Sequence, residues 1–540
     1  MIAYIFAPAS KPDHAFLQAP GFNSLLSNRL LLTVFAYTEG MKISAGGLRT
    51  ENVTFGKVQL SAETWAILGI VLLGFCLRLK AASGDLWFDE IWTVKSLQGL
   101  NEPSEILTKW ISDNNHLLNS LYVFWVKDQV HSFWFRAFSI AISTGSILAG
   151  YWAAQAYGSR TRLIFAFQLA AAFPFVLYGS EARGFAGMIF CALTAIGLVE
   201  RHLKTDKDTP GAALFAICIG IGGLFHMTIF LLLVVLAVWV FWIRLNQENW
   251  HFQRALARAH RFFRPVIFVP LIFAVVLSAP VYFHPDRLIE IGSISHFEWS
   301  HVADGFDRLL RLVLGAPYAP PMMTQAALIA ALVFFLRRPG QSKITLDITP
   351  LAVIALGIVP IIMVIVQLPN LQYPRYFLCL ALILCLWLSI RIADASKSNG
   401  YKRWIAAGLV AVFMHGQFIQ YAGFSGPQRG QYRQAIAEIS QSGATFYSAA
   451  EPFRTMVTID YFQAIDKSDF KLTHIDLKNS DCEAPPKWFI AEIHRPRDTV
   501  RETINLSGRV CTLRYDLHKT YLHYKLSGRS WALYRHAGPD

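Results

Sequence analysis

The sequence predicts an α-helical polytopic membrane protein that carries a small extracytoplasmic α/β domain at its C-terminal end. Three observations lead there. Hydrophobic residues make up 54% of the 540 residues and charged residues only 16%, a balance that soluble multidomain chains do not show. About eleven apolar runs near span length follow one another through the first four fifths of the chain. Beyond residue 422 those runs stop and short β-rich stretches replace them. The 15 Trp, 19 Tyr and 40 Phe suit aromatic belts at the membrane interfaces, and the composition excludes a disordered chain, a collagen-like repeat and a disulfide-rich secreted scaffold.

The apolar runs lie at about 64–79, 137–157, 163–178, 184–199, 211–227, 229–243, 265–283, 323–336, 349–367, 376–390 and 404–421, and several fall short of the roughly 20 residues that a straight crossing needs. With the first run entering from the cytoplasm, Arg160, Arg162, Arg201, Lys204, Arg244, Arg254, Arg258, Arg261, Arg264, Arg337, Arg338, Arg391, Lys402 and Arg403 share one side. Positive-inside bias makes that side cytoplasmic. Segments 81–136, 179–183, 284–322, 368–375 and everything after about 422 then lie outside. The net charge of +13 is therefore mostly topological, membrane lipids are the general partners, and no nucleic-acid partner is implied. A bacterial-type inner (plasma) membrane is the expected setting.

The expected division is an N-terminal extension over 1–60, a transmembrane domain over 61–422 with a long first outer loop at 81–136, and the α/β domain over 423–540. In the extension, residues 24–37 are apolar but too short to span and contain Arg29; Met41 offers a second start. In the last domain a helix is expected at Tyr432–Ser442, strands at Thr445–Ala449, Phe470–Leu477, Lys487–Ile493 and Val510–Tyr515, and a helix-like stretch near Thr499–Asn505. Of seven cysteines, five fall in spans as packing residues, whereas Cys482 and Cys511 lie outside, where oxidation is permitted, and form the candidate disulfide.

A transporter places ionisable groups near the bilayer midplane. These runs are almost free of them. Asp85, Asp89, Glu90, Asp113, His116, Arg136, Glu181, Arg183, His226 and Arg375 gather instead at the outer ends of helices, from segments spread over most of the chain. Such convergence suits chemistry at the lipid–water boundary. The acidic pair stands in GDLWFDEIWTVKSLQG, read as an amphipathic helix lying along the membrane with Trp87 and Trp92 as anchors. A carboxylate there has the chemistry of a general base toward a hydroxyl, or simply complements a helix N-terminus. The one DxD-like triplet, Asp206-Lys207-Asp208, sits in a short basic loop and reads as a solvated charge run.

These residues resemble the GT-C glycosyltransferases, in the branch of the protein O-mannosyltransferases, the lipid A aminoarabinose transferase and the bacterial RgtA/B/C/D-like enzymes. WFDE at 87–90 looks like the first-loop Asp-Glu motif. DNNHLLNSLYVFW at 113–125 resembles a His-Pro-Pro-Leu-Tyr segment with Leu117 and Leu118 in place of the prolines, and FRAFS at 135–139 an Arg-Leu-Pro-Ser segment. YGSEARGFA at 178–186 is similar to Ser-Gln-Glu-Ala-Arg-Gly-Tyr, PRYF at 374–377 to a late Arg-Tyr pattern, and QYRQAIAEI at 431–439 to Tyr-Arg-x-Ala-Ala.

The resemblance implies a GT-C-type fold and a hexosyltransferase of the cell envelope. Its donor would be a polyprenyl-phosphate-sugar; its acceptor would be a glycolipid, polysaccharide or protein hydroxyl. Asp89 is implied as the base for inversion at the anomeric carbon. Developing negative charge on the phosphate calls for cations, so Arg183 and Arg375, then Arg136, are the candidate phosphate ligands. Glu90 and His116 are candidates for positioning Asp89, and Glu181 for orienting Arg183 or binding the acceptor. No cofactor is certain; a divalent metal, if one is used, has Glu90 and His116 as candidate ligands. The competing expectation is a transporter or flippase of polyprenyl-linked sugars, which would need no base at Asp89.

Overall fold

The chain first crosses through α1 (Ala62–Ala81), whose N-terminus is capped by Ser61, its hydroxyl accepting from the Thr64 amide at 3.1 Å. The computed structural model describes residues 61–540 apart from 111–115, 206–210, 284–296, 337–347, 368–369, 399, 467–470, 478–483, 494–499, 508–511, 525 and 539–540. The extension 1–60, Asp113, the triplet at 206–208 and the candidate disulfide Cys482–Cys511 lie outside the described residues.

The first outer loop folds into α2 (Phe88–Gln98), the single turn α3 (Glu105–Thr108) and α4 (Leu117–Trp125). A buried group follows: α5 (Ser132–Ala153), α6 (Ser159–Ala171), α7 (Phe173–Gly179), α8 (Phe185–Thr205), α9 (Gly211–Phe225) and α10 (Ile229–Gln247). The remaining bundle is α11 (Phe252–Phe263), α12 (Phe268–Phe283), α13 (Trp299–Leu314), α14 (Met323–Leu336), α15 (Thr349–Ile365), α16 (Leu378–Lys397) and α17 (Tyr401–Ser425). Every expected apolar run falls on a helix, but the count of about eleven spans is not confirmed. Among the described residues seven helices are long and apolar enough to cross: Ala62–Ala81, Ser132–Tyr157, Phe185–Thr205, Ile229–Gln247, Phe252–Val276, Pro374–Lys397 and Tyr401–Ser425. The pair α6 and α7 makes an eighth if counted together, while α9 and α15 are apolar but shorter. Local hydropathy registers a buried half-helix as readily as a full crossing.

The broken pair explains how one of the site's turns is placed. Ala172 is extended, Pro174 lacks an amide hydrogen, and the helix axis turns by 58°. A break inside the bundle leaves backbone groups that no water can satisfy, so side chains must do it. Arg78 donates to the carbonyls of Leu169 at 3.0 Å and Ala170 at 3.4 Å, and Tyr421 to that of Ala171 at 3.0 Å. Gln417 accepts from the Phe173 amide at 2.8 Å. Redirected in this way, α7 ends at Gly179 and leads into the 180–184 turn.

After α17 come α18 (Tyr432–Gln441), β1 (Phe446–Ala449), α19 (Pro452–Asp466), β2 (Thr473–His474), β3 (Trp488–Ile493), β4 (Thr503–Ser507), β5 (Thr512–Tyr521) and β6 (Ser530–His536). They form one mixed sheet in the order β2-β1-β3-β6-β5-β4. β1 runs parallel to β2 and β3, and the other pairings are antiparallel. The helix-like stretch expected near 499–505 is corrected to β4, a short edge strand whose alternating exposure weakens its pattern. Leu86, Trp87, Ile91, Val94 and Leu97 of the first loop pack in one core with Tyr432, Ile436, Ile439, Tyr447, Trp531 and Leu533. The expected boundary at 422/423 therefore cuts through a shared core, and Ser61–Asp540 is one compact unit. This also corrects the expectation for α2. Trp87 is buried and Trp92 packs against Phe453 of α19, so the two tryptophans pack within the protein rather than serving as interfacial anchors.

The orientation has a direct check. In a chain whose native cysteines are replaced, a cysteine at Gln434 should react with a membrane-impermeant maleimide in intact cells, and one at Asn249 only after permeabilisation; labelling in the reverse pattern would overturn it.

Candidate active site

The site is built on an ion pair with no access to water. Glu90, in the first turn of α2, and Arg136, in the first turn of α5, both have fully buried side chains. Arg136 donates from Nε to Glu90 Oε1 at 2.9 Å and from Nη2 to Glu90 Oε2. Its other hydrogens go to the carbonyls of Ala82 at 2.9 Å, Gly84 at 2.7 Å and Asp85 at 2.9 Å. All five N–H donors of the guanidinium are thereby used. Arg136, expected as a phosphate ligand, is corrected to a clamp on the turn between α1 and α2. Glu90 is equally occupied: Oε1 also accepts from the Ala182 amide at 2.8 Å and Oε2 from the Trp87 amide at 3.2 Å. Burial pushes the Glu90 carboxyl up, but Arg136, Arg429 and the Ala182 amide outweigh it and hold the carboxyl below the usual glutamate range.

That anchor presents the neighbouring residue, Asp89, to the outside. Asp89 Oδ2 meets Arg183 Nη1 at 2.7 Å and Arg375 Nη1 at 3.6 Å. The aspartate side chain is 23% exposed and the two arginines 7% and 13%, so the cluster is dry on one side and open on the other. Three chain segments meet here: α2, the 180–184 turn after α7, and the Pro374–Phe377 turn that starts the span continuing as α16. Gly184 lets the middle one approach, since a Cβ there would stand 1.9 Å from the Phe225 carbonyl oxygen. Gly305 of α13 does the same for the segment before Arg375, where a Cβ would lie 2.0 Å from the Leu371 carbonyl oxygen.

Two histidines back Arg183. His116 Nε2 accepts from Arg183 Nε at 3.2 Å, and its ring stacks on His226 at 5.1 Å. Burial together with the charges of Arg183 and Arg375 pushes His116 well below the ordinary histidine value and His226 down to about 3. Both imidazoles are neutral at pH 7, as acceptance from Arg183 requires. His116 thus orients Arg183, while His226 was noted in the sequence only for its position at an outer helix end. Counting Asp89, Arg183 and Arg375, the cluster carries one positive charge in excess.

Glu181 is corrected from an acceptor or Arg183 partner to a buried partner of Arg429, Oε1 standing 3.4 Å from Nε. Burial raises its carboxyl, although Arg429 pulls the other way. Arg429 also donates to the Leu177 carbonyl at 2.8 Å and the Ser180 hydroxyl at 2.9 Å, fixing the start of the 180–184 turn. The sequence reading missed Arg429, because an arginine just past a span reads as a snorkelling cation. Among the described residues no three His, Cys, Asp or Glu converge, and the oxygens of Glu90 are already taken.

No family model matches the chain, and no curated protein matches it. Solved structures do. The Archaeoglobus fulgidus oligosaccharyltransferase in the apo form aligns at TM-score 0.42 and 12% identity over 74% of this chain and 63% of that one. The same enzyme tethered to an acceptor peptide containing the NVT sequon gives 0.41 and 11% over 74% and 63%. Archaeal oligosaccharyltransferase AglB from the same organism, with an inhibitory peptide and a dolichol-phosphate, gives 0.39 and 10% over 80% and 70%. The chain spans less than two thirds of the first two.

Removing one partner of a buried pair strands the other charge, at about 3–5 kcal/mol. Glu90→Leu and Arg136→Met should each lower the melting temperature strongly, and the double variant less than either alone. Because the folded Glu90 carboxyl lies below its unfolded value, the pair's contribution is complete above the ordinary glutamate range and is lost as pH falls through the folded value. Melts of the wild type should therefore fall more steeply in acid than those of the double variant.

Proposed function

We propose that the chain is a membrane glycosyltransferase of the GT-C class, which moves a sugar from a polyprenyl-phosphate carrier to an acceptor hydroxyl on the outer side of the membrane. One observation carries the reading: a single half-open carboxylate, Asp89, clasped by Arg183 and Arg375 from two separate turns, with positive charge in excess. An inverting transfer needs a base for the acceptor hydroxyl and cations for the leaving phosphate, and this cluster supplies both. The acceptor oxygen attacks the anomeric carbon from the face opposite the phosphate, and Asp89 takes the hydroxyl proton. The bond from the anomeric carbon to the phosphate oxygen breaks with its electron pair passing to the phosphate, which Arg183 and Arg375 hold. No general acid is needed, because the carrier phosphate leaves as a stabilised anion.

The resting contacts couple the two halves of this step. A donor phosphate competes for the guanidinium hydrogens that now face Asp89, and each contact so moved frees a carboxylate lone pair for the acceptor's proton. Arg375, at 3.6 Å, is the looser of the two.

Asp89→Asn should lower transfer from a labelled polyprenyl-phosphate sugar by ~10²–10⁴-fold, with donor binding kept. Arg375→Ala should raise the KM for donor by at least about tenfold, the weight of one charge-assisted contact. Transfer that survives Asp89→Asn would remove the base assignment. Transbilayer movement of the carrier without transfer would favour the flippase reading.

A further inference from the structure

Beside Asp89, α2 carries a feature that the transfer step does not use. Phe88, Trp92 and Lys95 recur along one face of α2, and Phe453, Met456 and Asp460 along one face of α19. The two faces meet. The Phe453 ring stands edge-on to Trp92 at 5.2 Å and to Phe88 at 6.1 Å, and Lys95 pairs with Asp460 at 3.5 Å. The rings of Phe88 and Trp92 lie within 13° of parallel. The seam is nevertheless left open, for Phe453 is 56% exposed and Met456 39%.

Its rim is charged on both sides. Arg454 lies over the Phe88 ring at 5.6 Å and 3.9 Å from Glu492. Glu492 has a side chain only 3% exposed, and its Oε2 has no hydrogen-bond partner among the described residues. A buried carboxylate oxygen without a donor is costly, and here it lies behind an exposed aromatic surface.

We propose that this seam binds the acceptor and that the acceptor is a saccharide. The inference rests on the transfer reading above and narrows it. A pyranose ring presents an apolar face of C–H bonds, weakly positive, which complements the negative face of an aromatic ring. Its hydroxyls project from the edge and need donors and acceptors together, as Lys95, Arg454 and Asp460 provide. An acyl chain would meet charge at both ends of the seam, and an extended peptide would look for an open strand edge rather than two helices. Phe88 immediately precedes Asp89 in the first turn of α2, about 100° away around the helix axis, so a sugar on the exposed Phe453 ring borders the helix face next to the one that carries the carboxylate.

The test uses the full chain in nanodiscs, probed on a glycan array, with each hit measured again by saturation-transfer NMR and as an acceptor. Phe453→Ala should raise the KM for the acceptor saccharide by about tenfold or more and change kcat by less than about twofold, whereas Phe453→Trp should bind like the wild type. Equal binding by wild type and Phe453→Ala, or no saccharide bound by the wild type, would overturn the proposal. The two readings separate cleanly. Saccharide binding that depends on Phe453, without transfer from the polyprenyl-phosphate donor, keeps the seam and removes the transferase; transfer to peptide or lipid alone keeps the transferase and removes the seam.

Discussion

The buried pair of Glu90 and Arg136 is the constraint on which the candidate site of this molecule depends. Two unit charges without solvent are tolerable only when every hydrogen and lone pair is used, and here the partners come from four places: the end of α1, the first turn of α2, the first turn of α5 and the turn after α7. The pair thus acts as a joint that fixes four backbone directions at once. Asp89 inherits its position from that joint. Arg183 sits one residue past Ala182, whose amide Glu90 holds. The carboxylate and its first arginine are therefore set by the same contact.

A second joint, Glu181 with Arg429, fastens the same turn from the opposite side and ties it to the segment leaving α17. Between the two joints the 180–184 turn has little freedom, as suits a residue that must meet a carboxylate at 2.7 Å. Arg375 comes from a different wall of the site and is held more loosely, with Tyr373 and Tyr376 beneath its guanidinium at 4.7 and 5.5 Å. One arginine is locked and the other cushioned.

Much of the fold was legible in the sequence, because apolar runs and the loading of Lys and Arg report lipid and side directly. The count of crossings was not legible. Residues 163–178 read as one run, and only the extended Ala172 with Gln417 waiting at Phe173 shows two helices. In the site, Asp89, Arg183 and Arg375 were visible as ionisable residues at outer helix ends, and the structure brings them together. Their neighbours were harder. Glu90 and Arg136 have the same residue types and the same topological depth as Asp89 and Arg183, and nothing local separates a charge that faces a substrate from one that faces another charge. Arg429 depends on its pairing with Glu181, 248 positions earlier, and the aromatic seam on pairings between α2 and residues more than three hundred positions later, which periodicity cannot reveal.

Those distant pairings bear on how the molecule is made. The core formed by Leu86, Ile91 and Val94 is completed only by Tyr432, Tyr447 and Trp531. At about 5–20 residues per second of synthesis, the segment around α2 must wait on the order of tens of seconds for the chain that will cover it. Its apolar face is exposed throughout that interval, and such non-local closure is slow once it begins. The wait for those late residues is therefore the stage at which this protein most needs a chaperone, and the stage at which truncated chains are most exposed to proteolysis.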